Sequence, residues 1–311
     1  MRLGYACINL SLPTKLRTVR LKNATPERVL ELARSNLAET VRAAEWNAAH
    51  GIGMLRLTSD MVPFGAHPEV GPASAWREEL KEDLARAGEA IRAADQRIGT
   101  HPGQYSVLNS PRREVIDMAL LDLAYHADML DLMGLDGTMV LHLGGAYGDR
   151  EAARARFVDT ARELPDNVRR RLVLENDDVT WNAAEVLSMS RDTGFPMVYD
   201  VFHDGLLPSE GLSMLEGLEQ ALATWPEERV PKIHYSDPAP PRMRRGTHGD
   251  RIRIAPFRKF LEETRELRDF DIMVEAKKKD LAVLPLLPHV RKRAHSPPRT
   301  RARRAPASAS A

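Results

Sequence analysis

The sequence predicts an α/β fold, a single (β/α)8 TIM barrel with a metal cluster at the carboxyl-terminal rim of its strands. Short apolar runs that are typical of strands alternate with helical patterns to about residue 292. Because the ends of parallel strands ring one small space, side chains that end successive strands should converge. Six of the runs end in a metal-binding side chain, in the order His101, His142, Glu175, Asp200, His234 and Glu275.

Eight segments have the composition of strands, as a closed barrel requires. In order, they span residues 3–9, 51–58, 97–101, 138–143, 171–176, 196–201, 230–236 and 270–276. Side chains two residues apart on a strand project to the same face, so Lys232 and His234 should point the same way. We therefore expect the metal-binding side chains to face the barrel axis.

Two helices between these strands carry clear end signals. The first has Thr25 as N-cap and Pro26 at its first position, and it ends before Gly51. A later amphipathic helix is expected to follow Ser110 and Pro111 and to run to Met133, with Gly134 closing it.

Composition indicates a soluble, intracellular protein, and we expect it in the cytoplasm, in the prokaryotic cytosol or nucleoid. Of 311 residues, 43% are hydrophobic, and no stretch approaches the roughly 20 apolar residues of a membrane span. The single cysteine, Cys7, is interpreted as a small core residue and fits a reducing compartment. We expect a monomer without a membrane partner.

Charge is distributed unevenly along the chain. The net charge is +1, but after Asp280 there are seven basic residues and no acidic one, so residues 1–280 sum to 1 − 7 = −6. Residues 1–287 are predicted to form the barrel domain, and residues 288–311 a basic, disordered tail. The tail could attach loosely to nucleic acid or have no specific role.

Further histidines lie near the expected rim. His203 and His248 follow strands six and seven and could hold a third ion with Asp250, whereas His67, after strand two, has a site role or none. His126 lies in a helix, where a surface or packing role is expected and not metal ligation. Mixed imidazole and carboxylate ligands suit Mn²⁺, Zn²⁺ or Fe²⁺ better than Mg²⁺.

Such a centre is suited to cleaving a phosphodiester. Clustered divalent ions activate water, neutralise phosphate oxygens and stabilise the leaving oxygen. We expect Glu175 to bridge two ions and Lys232 to add electrostatic stabilisation, with His234 beside them.

The loops on the same rim are basic, which predicts DNA as the partner. The first loop carries Lys15, Arg17, Arg20 and Lys22 without an acidic residue. The seventh carries Arg242, Arg244 and Arg245. Such side chains can pair with backbone phosphates independently of base sequence.

Several motifs, in order, resemble those of ultraviolet damage endonucleases, relatives of endonuclease IV in the xylose-isomerase-like barrel superfamily. They are THPGQY, HLGG, LEND, YDVFH, KIHYS and VEAKKKD, and the resemblance extends from the first strand to about Leu287. It implies a metal-dependent nick in duplex DNA immediately 5′ to ultraviolet photoproducts, both pyrimidine dimers and 6-4 photoproducts. The products would be a 3′-hydroxyl and a 5′-phosphate.

The resemblance also implies roles for single residues. His101, His142 and Glu175 would hold one ion, Glu175 with Asp200, His234 and Glu275 a second, and His203 with His248 a third. Lys232 matches a lysine that can carry a carboxylate modification, although unmodified it could hold a phosphate. We expect two or three ions per chain, Mn²⁺ foremost, with Zn²⁺, Mg²⁺ or Co²⁺ as alternatives.

Lesion recognition is expected from the loops. Gln104 and Tyr105 resemble a pair that fills the gap left by a flipped, damaged dinucleotide. The other predicted contacts to DNA are Tyr5, Asn9, His67 and Arg244.

Two other functions fit the same fold. A metal-dependent sugar isomerase could use Lys232 as a catalytic cation, and it would interconvert aldose and ketose without DNA. A non-catalytic damage-binding protein with structural metals would bind lesions and leave every phosphodiester intact.

Overall fold

Parallel strands form a nearly closed ring whose carboxyl-terminal ends meet at one rim. The computed structural model describes residues 1–13, 15–103 and 105–294. Within these residues the ring has eight strands, which confirms the predicted (β/α)8 barrel. They are β1 (Leu3–Ala6), β2 (Met54–Arg56), β3 (Arg97–Thr100), β4 (Thr138–His142), β5 (Leu172–Glu175), β6 (Met197–Val198), β7 (Lys232–Tyr235) and β8 (Asp271–Val274).

The barrel closes between β6 and β7, next to two of the predicted metal ligands. The eight strands pair in the order β6-β5-β4-β3-β2-β1-β8-β7, all parallel, so β6 and β7 lie at the two ends of this order. An isolated parallel bridge joins Asp200 to His234, and the His234 N–H donates to the Tyr199 carbonyl at 3.0 Å. The seam of the barrel therefore holds these two ligands in register with each other.

Helices cover the outside of the ring. They are α1 (Pro26–His50), α2 (Val70–Ala73), α3 (Trp76–Glu79), α4 (Lys81–Ala93), α5 (Arg113–Leu132), α6 (Arg150–Arg162), α7 (Asp166–Arg169), α8 (Ala183–Thr193), α9 (Val201–Leu206), α10 (Met214–Ala223), α11 (Ile254–Glu263), α12 (Lys279–Val283) and α13 (Leu287–Ala294). Short 3-10 helices span Leu21–Asn23 and Leu284–Leu286.

The end signals of α1 are confirmed. The Thr25 hydroxyl accepts a hydrogen bond from the Arg28 N–H at 3.3 Å, and Gly51 takes the left-handed conformation with φ 76°. The helix between β3 and β4 differs from the prediction, since α5 begins at Arg113. The Ser110 hydroxyl instead accepts from the Arg112 N–H at 3.2 Å, which makes a turn ahead of the helix.

Apolar side chains pack inside the barrel and around it. Val140, Val173 and Val198 form a buried cluster with Trp225. A larger apolar core lies between the strands and the surrounding helices. The two clusters leave the metal-binding side chains at the carboxyl-terminal rim, above the valines of the same strands.

One glycine shows how closely the helices pack. A Cβ on Gly88 of α4 would lie 1.8 Å from the Met133 carbonyl oxygen, which follows α5. Only a residue without a side chain allows this approach between the two helices.

The end of the chain is folded further than we expected. The predicted tail starts at residue 288, but α13 covers Leu287–Ala294, and Val290 packs into the core. Residues 295–311 of the predicted tail lie outside the described residues. In the part of the chain that the structure describes, no helix combines the length and apolar character needed to cross a membrane.

Candidate metal centre

Glu175 lies at the middle of the carboxyl-terminal rim and is almost completely buried. It ends β5, and its Oε2 is 3.0 Å from His101 Nε2 and 3.3 Å from His142 Nε2. Its Oε1 lies 2.5 Å from His234 Nδ1. One carboxylate thus contacts imidazoles from β7, from the end of β4 and from the residue after β3.

Asp200 fixes a second part of the centre because its side chain starts a helix. Its Oδ1 accepts hydrogen bonds from the N–H groups of Phe202 at 2.7 Å and His203 at 2.9 Å, which caps α9. Its Oδ2 has no hydrogen-bond partner among the described residues and lies 3.6 Å from His203 Nδ1. The cap leaves one carboxylate oxygen turned toward the imidazoles.

Glu275 completes the cluster from the residue after β8. Its Oε1 lies 3.5 Å from His234 Nδ1, and the same imidazole nitrogen is 4.0 Å from Asp200 Oδ2. Carboxylates from three different strand ends therefore surround His234.

Among the described residues, three groups of side chains could each hold a metal ion. Within each group the ligand atoms lie within 4.8 Å of one another. Glu175 belongs to two groups and Asp200 to two, so neighbouring ions would share a carboxylate. The groups are His101, His142 and Glu175; Glu175, Asp200 and His203; and Asp200, His234 and Glu275.

The electrostatics of these side chains also fit bound cations. Burial disfavours ionised Glu175, yet His234 and His142 hold its pKa well below the ordinary value. Burial raises the pKa of Asp200. Burial also opposes the charged form of His203, but Asp200 and Glu175 raise its pKa to about 9.

An unpartnered carboxylate oxygen strengthens this fit. Asp200 Oδ2 is buried without a hydrogen-bond partner among the described residues, and it faces the imidazoles of His203 and His234. Buried acceptors are costly unless paired or bound to a cation. Divalent ions in the three groups would compensate the buried carboxylates, and the imidazole and carboxylate donors suit Mn²⁺ or Zn²⁺.

The third ion site expected at His203 and His248 stays a prediction. His203 groups with Glu175 and Asp200, whereas His248 belongs to none of the three groups. The Nδ1 of His248 lies 2.8 Å from Ser236 Oγ and 3.6 Å from Glu275 Oε2, and its ring centroid is 6.0 Å from that of His203. Asp250, predicted beside it, is exposed.

Lys232 lies inside the barrel, on the same face of β7 as His234. Its Nζ donates to Thr138 Oγ1 at 2.9 Å, and the side chain is fully buried. Burial, aided by the charges of Arg97 and Arg56, lowers the pKa of Lys232 to about 7. The lysine can therefore be neutral or charged near physiological pH.

Arg56 contacts the cluster, and the sequence reasoning missed it. This last residue of β2 forms an ion pair with Glu275 Oε1. Despite burial, Glu275 raises the pKa of Arg56, and Arg56 lowers that of Glu275. An arginine within the apolar run MLRLT was the available signal, because a charge on a buried strand requires a partner.

Known proteins carry the same sequence pattern. The sequence matches the family described as UV-endonuclease UvdE over residues 1–295. The UV DNA damage endonuclease of Bacillus velezensis is 35% identical over 282 residues, which cover 88% of this chain and 85% of that protein. That of Clostridium perfringens is 32% identical over 289 residues, covering 91% and 69%.

The chain belongs to the UV-endonuclease family. The predicted family is thereby confirmed. The crystal structure of SacUVDE superposes on this chain with a TM-score of 0.87 at 36% identity, and the alignment covers 94% of this chain and 98% of that one. Endonuclease IV from Thermus thermophilus shares the fold, with a TM-score of 0.57 at 18% identity over 94% of this chain and 99% of that one.

The loop after β3 presents an aromatic side chain to solvent. Tyr105 is 81% exposed, although a tyrosine usually buries its ring. Ser106 donates a hydrogen bond to Asp122 on α5, which anchors the loop beside Tyr105. Gln104, predicted to act with Tyr105, lies outside the described residues.

Tyr5 and Asn9 are placed differently from a direct contact to DNA. Tyr5 is fully buried, its hydroxyl donates to Asn47 Oδ1 at 2.8 Å, and it accepts from Asn9 Nδ2 at 2.9 Å. The Asn9 side-chain oxygen Oδ1 accepts from the Ser11 N–H at 2.9 Å. These hydrogen bonds hold the start of the first loop in place. Both side chains are used within the fold, so neither is exposed for contact with a duplex.

The remaining predicted residues lie outside the metal groups. His67 is half-buried, and its Nδ1 accepts from the N–H groups of Glu69 and Val70 at 3.2 and 3.3 Å. Arg244 is exposed in the loop after β7, and the predicted basic residues of the first loop are exposed. His126 is fully buried in α5, which favours packing over the surface role that was also expected.

Proposed function

We propose that this protein is a DNA repair endonuclease that nicks duplex DNA immediately 5′ to ultraviolet photoproducts. The chemistry is metal-assisted phosphodiester hydrolysis that leaves a 3′-hydroxyl and a 5′-phosphate. The observation that carries the proposal is the cluster centred on Glu175, where three overlapping groups of imidazoles and carboxylates meet at one rim. Relatives named UV DNA damage endonuclease support the choice of substrate.

The side chains of this chain would hold and space the ions. Glu175 and Asp200 each belong to two groups, so each could bridge neighbouring ions. When bound, Mn²⁺ or a similar ion supplies activation of water and neutralisation of phosphate charge. The cap that Asp200 makes on α9 and the contacts of Glu175 keep their oxygens in place without a bound substrate.

Lys232 and Arg56 would set the charge beneath the reacting phosphate. Lys232 is buried below His234 on the same strand face, and Arg56 is paired with Glu275. Both cations offset carboxylate charge in a dry interior, where electrostatic interactions are stronger than in water. Because these two cations offset part of the carboxylate charge, the site can bind the anionic DNA backbone.

Damage recognition is assigned to the loop after β3. Tyr105 stands free in solvent on the metal-bearing rim, and Gln104 precedes it in the sequence. An aromatic ring can enter the stack where a photoproduct weakens it, because flipping a damaged base costs less than flipping an intact one. Exposed arginines and lysines of the first and seventh loops would bind the backbone on either side.

The test uses a labelled duplex with one defined photoproduct and the same duplex without it. With Mn²⁺, we expect a single nick 5′ to the lesion in the first and none in the second. Glu175→Gln should lower the nicking rate at least ~100-fold, in line with the loss of an electrostatic group from an active site. Glu219→Gln, which changes an exposed glutamate on α10, is the matched control.

Other outcomes would favour the competing functions. Equal cutting of both duplexes contradicts damage specificity. Lesion binding with every phosphodiester intact would indicate a non-catalytic damage-binding protein. Aldose–ketose turnover without DNA would indicate a sugar isomerase.

A further inference from the structure

A basic pocket opens on the rim next to the metal centre and is separate from the metal ligands. It has a volume of about 330 Å³ and lies between the loop after β7 and the turn after β8. Four cationic side chains line it with two acidic ones, and Pro238, Pro240 and Met243 form an apolar wall. The cations are Arg242, Arg251, Arg253 and Lys277, and the acids are Asp237 and Asp250.

The charges of this pocket leave an excess of two positive charges, 4 − 2 = 2. Asp237 is paired internally, since its Oδ2 accepts from the Arg253 backbone N–H at 2.7 Å and from Arg253 Nε at 3.0 Å. Within the described residues, Arg242 and Lys277 form no ion pair, and both are exposed. This positively charged pocket contrasts with the rest of the domain, because the net charge of residues 1–280 is −6.

Backbone hydrogen bonds fix the pocket walls before any ligand binds. The Lys277 N–H donates to the Gly249 carbonyl at 3.0 Å, and the Lys278 N–H donates to the Asp250 carbonyl at 2.9 Å. The Gly249 N–H donates to the Asp237 carbonyl at 2.7 Å. The loop after β7 and the turn after β8 are therefore joined along one side by backbone hydrogen bonds. The cationic side chains extend from this fixed backbone.

The pocket adjoins the metal centre through short stretches of chain. Lys277 follows the ligand Glu275 by two residues, and Asp237 follows His234 by three. His248, which forms an isolated bridge with Pro238, lies 3.6 Å from Glu275 Oε2. An occupant of the pocket would thus sit beside a phosphate bound at the metals.

We infer that this pocket binds one sugar–phosphate unit of the DNA backbone next to the cleaved phosphodiester. Arg242 and Lys277 pair with the phosphate oxygens, and the proline and methionine wall contacts the deoxyribose. This inference rests on the proposed function, because it takes the scissile phosphate to lie at the metal centre. The pocket would be a further binding subsite that recognises the charge of the DNA backbone and not the base sequence.

The test measures how salt affects binding of Mn²⁺-loaded protein to an undamaged labelled duplex. Each lost phosphate contact lowers the slope of log affinity against log salt by about 0.9. Arg242→Ala/Lys277→Ala should therefore lower the slope by about 2 and weaken binding roughly tenfold at low salt. On the damaged duplex, KM should rise far more than kcat falls.

Two further variants separate charge from other effects. Arg242→Lys/Lys277→Arg keeps both charges and should keep the wild-type slope. Arg191→Ala/Arg258→Ala removes two exposed arginines on α8 and α11 and should leave the slope and KM unchanged. An unchanged slope and KM in the alanine double variant, with normal thermal unfolding, would overturn the inference.

Failure of the proposed function has a different signature. In that case wild-type protein does not nick the damaged duplex at all. If only the pocket is wrongly assigned, wild-type protein nicks it and the alanine double variant behaves like wild type.

Discussion

Lys232 and Thr138 are joined across the barrel interior, where Lys232 Nζ donates to Thr138 Oγ1 at 2.9 Å. The ammonium is fully buried, and burial lowers the pKa of Lys232 to about 7 from 10.5. Between these two values the unfolded chain holds a proton that the folded protein lacks, so stability rises with pH. A buried lysine at this position therefore reduces the stability of the folded protein at neutral pH. A residue that costs stability indicates a functional role for Lys232.

We expect Lys232→Met to stabilise the metal-free protein at pH 7 by roughly 1–4 kcal/mol while it lowers nicking at least ~100-fold. The stability gain should shrink as the pH approaches about 10, because the penalty on wild-type Lys232 then disappears. Urea unfolding in EDTA at about pH 7 and about pH 9.5 measures the gain. Lys259→Met, at an exposed position on α11, is the control, and a loss of stability at both pH values would contradict the argument.

Arg56→Met should destabilise the metal-free protein by about 2–4 kcal/mol, because it leaves Glu275, whose side chain is only 12% exposed, without its arginine partner. Added Mn²⁺ should restore most of this loss, since a bound cation compensates the same carboxylate. Thermal unfolding with and without Mn²⁺ measures both effects. Arg56→Met/Glu275→Gln, which removes both charges, should be more stable than Arg56→Met alone, and an equal loss in both variants would argue against the pairing.

Tyr105→Ala should leave the free energy of unfolding within about 0.5 kcal/mol of wild type, because the ring is 81% exposed. The substitution should instead lower the ratio of the nicking rate on damaged duplex to the nicking rate on intact duplex. Tyr147→Ala alters another exposed tyrosine, after β4, and serves as the matched control. Equal discrimination by wild type and Tyr105→Ala would remove the role assigned to this ring.

His126→Leu should make the metal-free protein less sensitive to acid. Burial lowers the pKa of His126 from 6.5 to about 4, against the opposing charge of Asp122. Between these two values, as pH falls, the unfolded chain takes up a proton that the folded protein refuses, so wild-type stability falls. The slope attributable to one such group is about 1.4 kcal/mol per pH unit.

The measurement for His126 is the free energy of unfolding at about pH 6.5, 5.5 and 4.5 in EDTA. His50→Leu removes a histidine that is exposed at the end of α1, and it should keep the wild-type slope. Parallel curves for wild type and His126→Leu would show that the buried imidazole does not resist protonation.

The strand pattern predicted the barrel because each strand is a short apolar run that a helix separates from the next. The caps of α1 could also be predicted, since Thr25, Pro26 and Gly51 act within one or two turns of the chain. The start of α5 was missed, because the Ser110 hydroxyl makes a turn with Arg112 in place of a helix cap. Ser110 can cap a helix or form a turn, and the sequence near it does not decide between the two.

Burial of single polar residues could not be predicted in the same way. Tyr5 lies in the first predicted strand, near the rim where DNA was expected, but its hydroxyl donates a hydrogen bond to Asn47, a residue 42 positions away. Arg56 was passed over because its partner, Glu275, lies 219 positions away. Both contacts depend on which strands and helices become neighbours.

From the sequence alone, the fold class, the family and the six strand-end side chains could be determined, because side-chain periodicity and motif order are properties of the chain itself. Only the tertiary structure decided how those side chains are grouped, which brings His203 to Glu175 and Asp200 and leaves His248 beside Ser236. The physical reason is that ligand atoms must approach within a few ångströms. Closing the barrel at the bridge between Asp200 and His234 sets those distances.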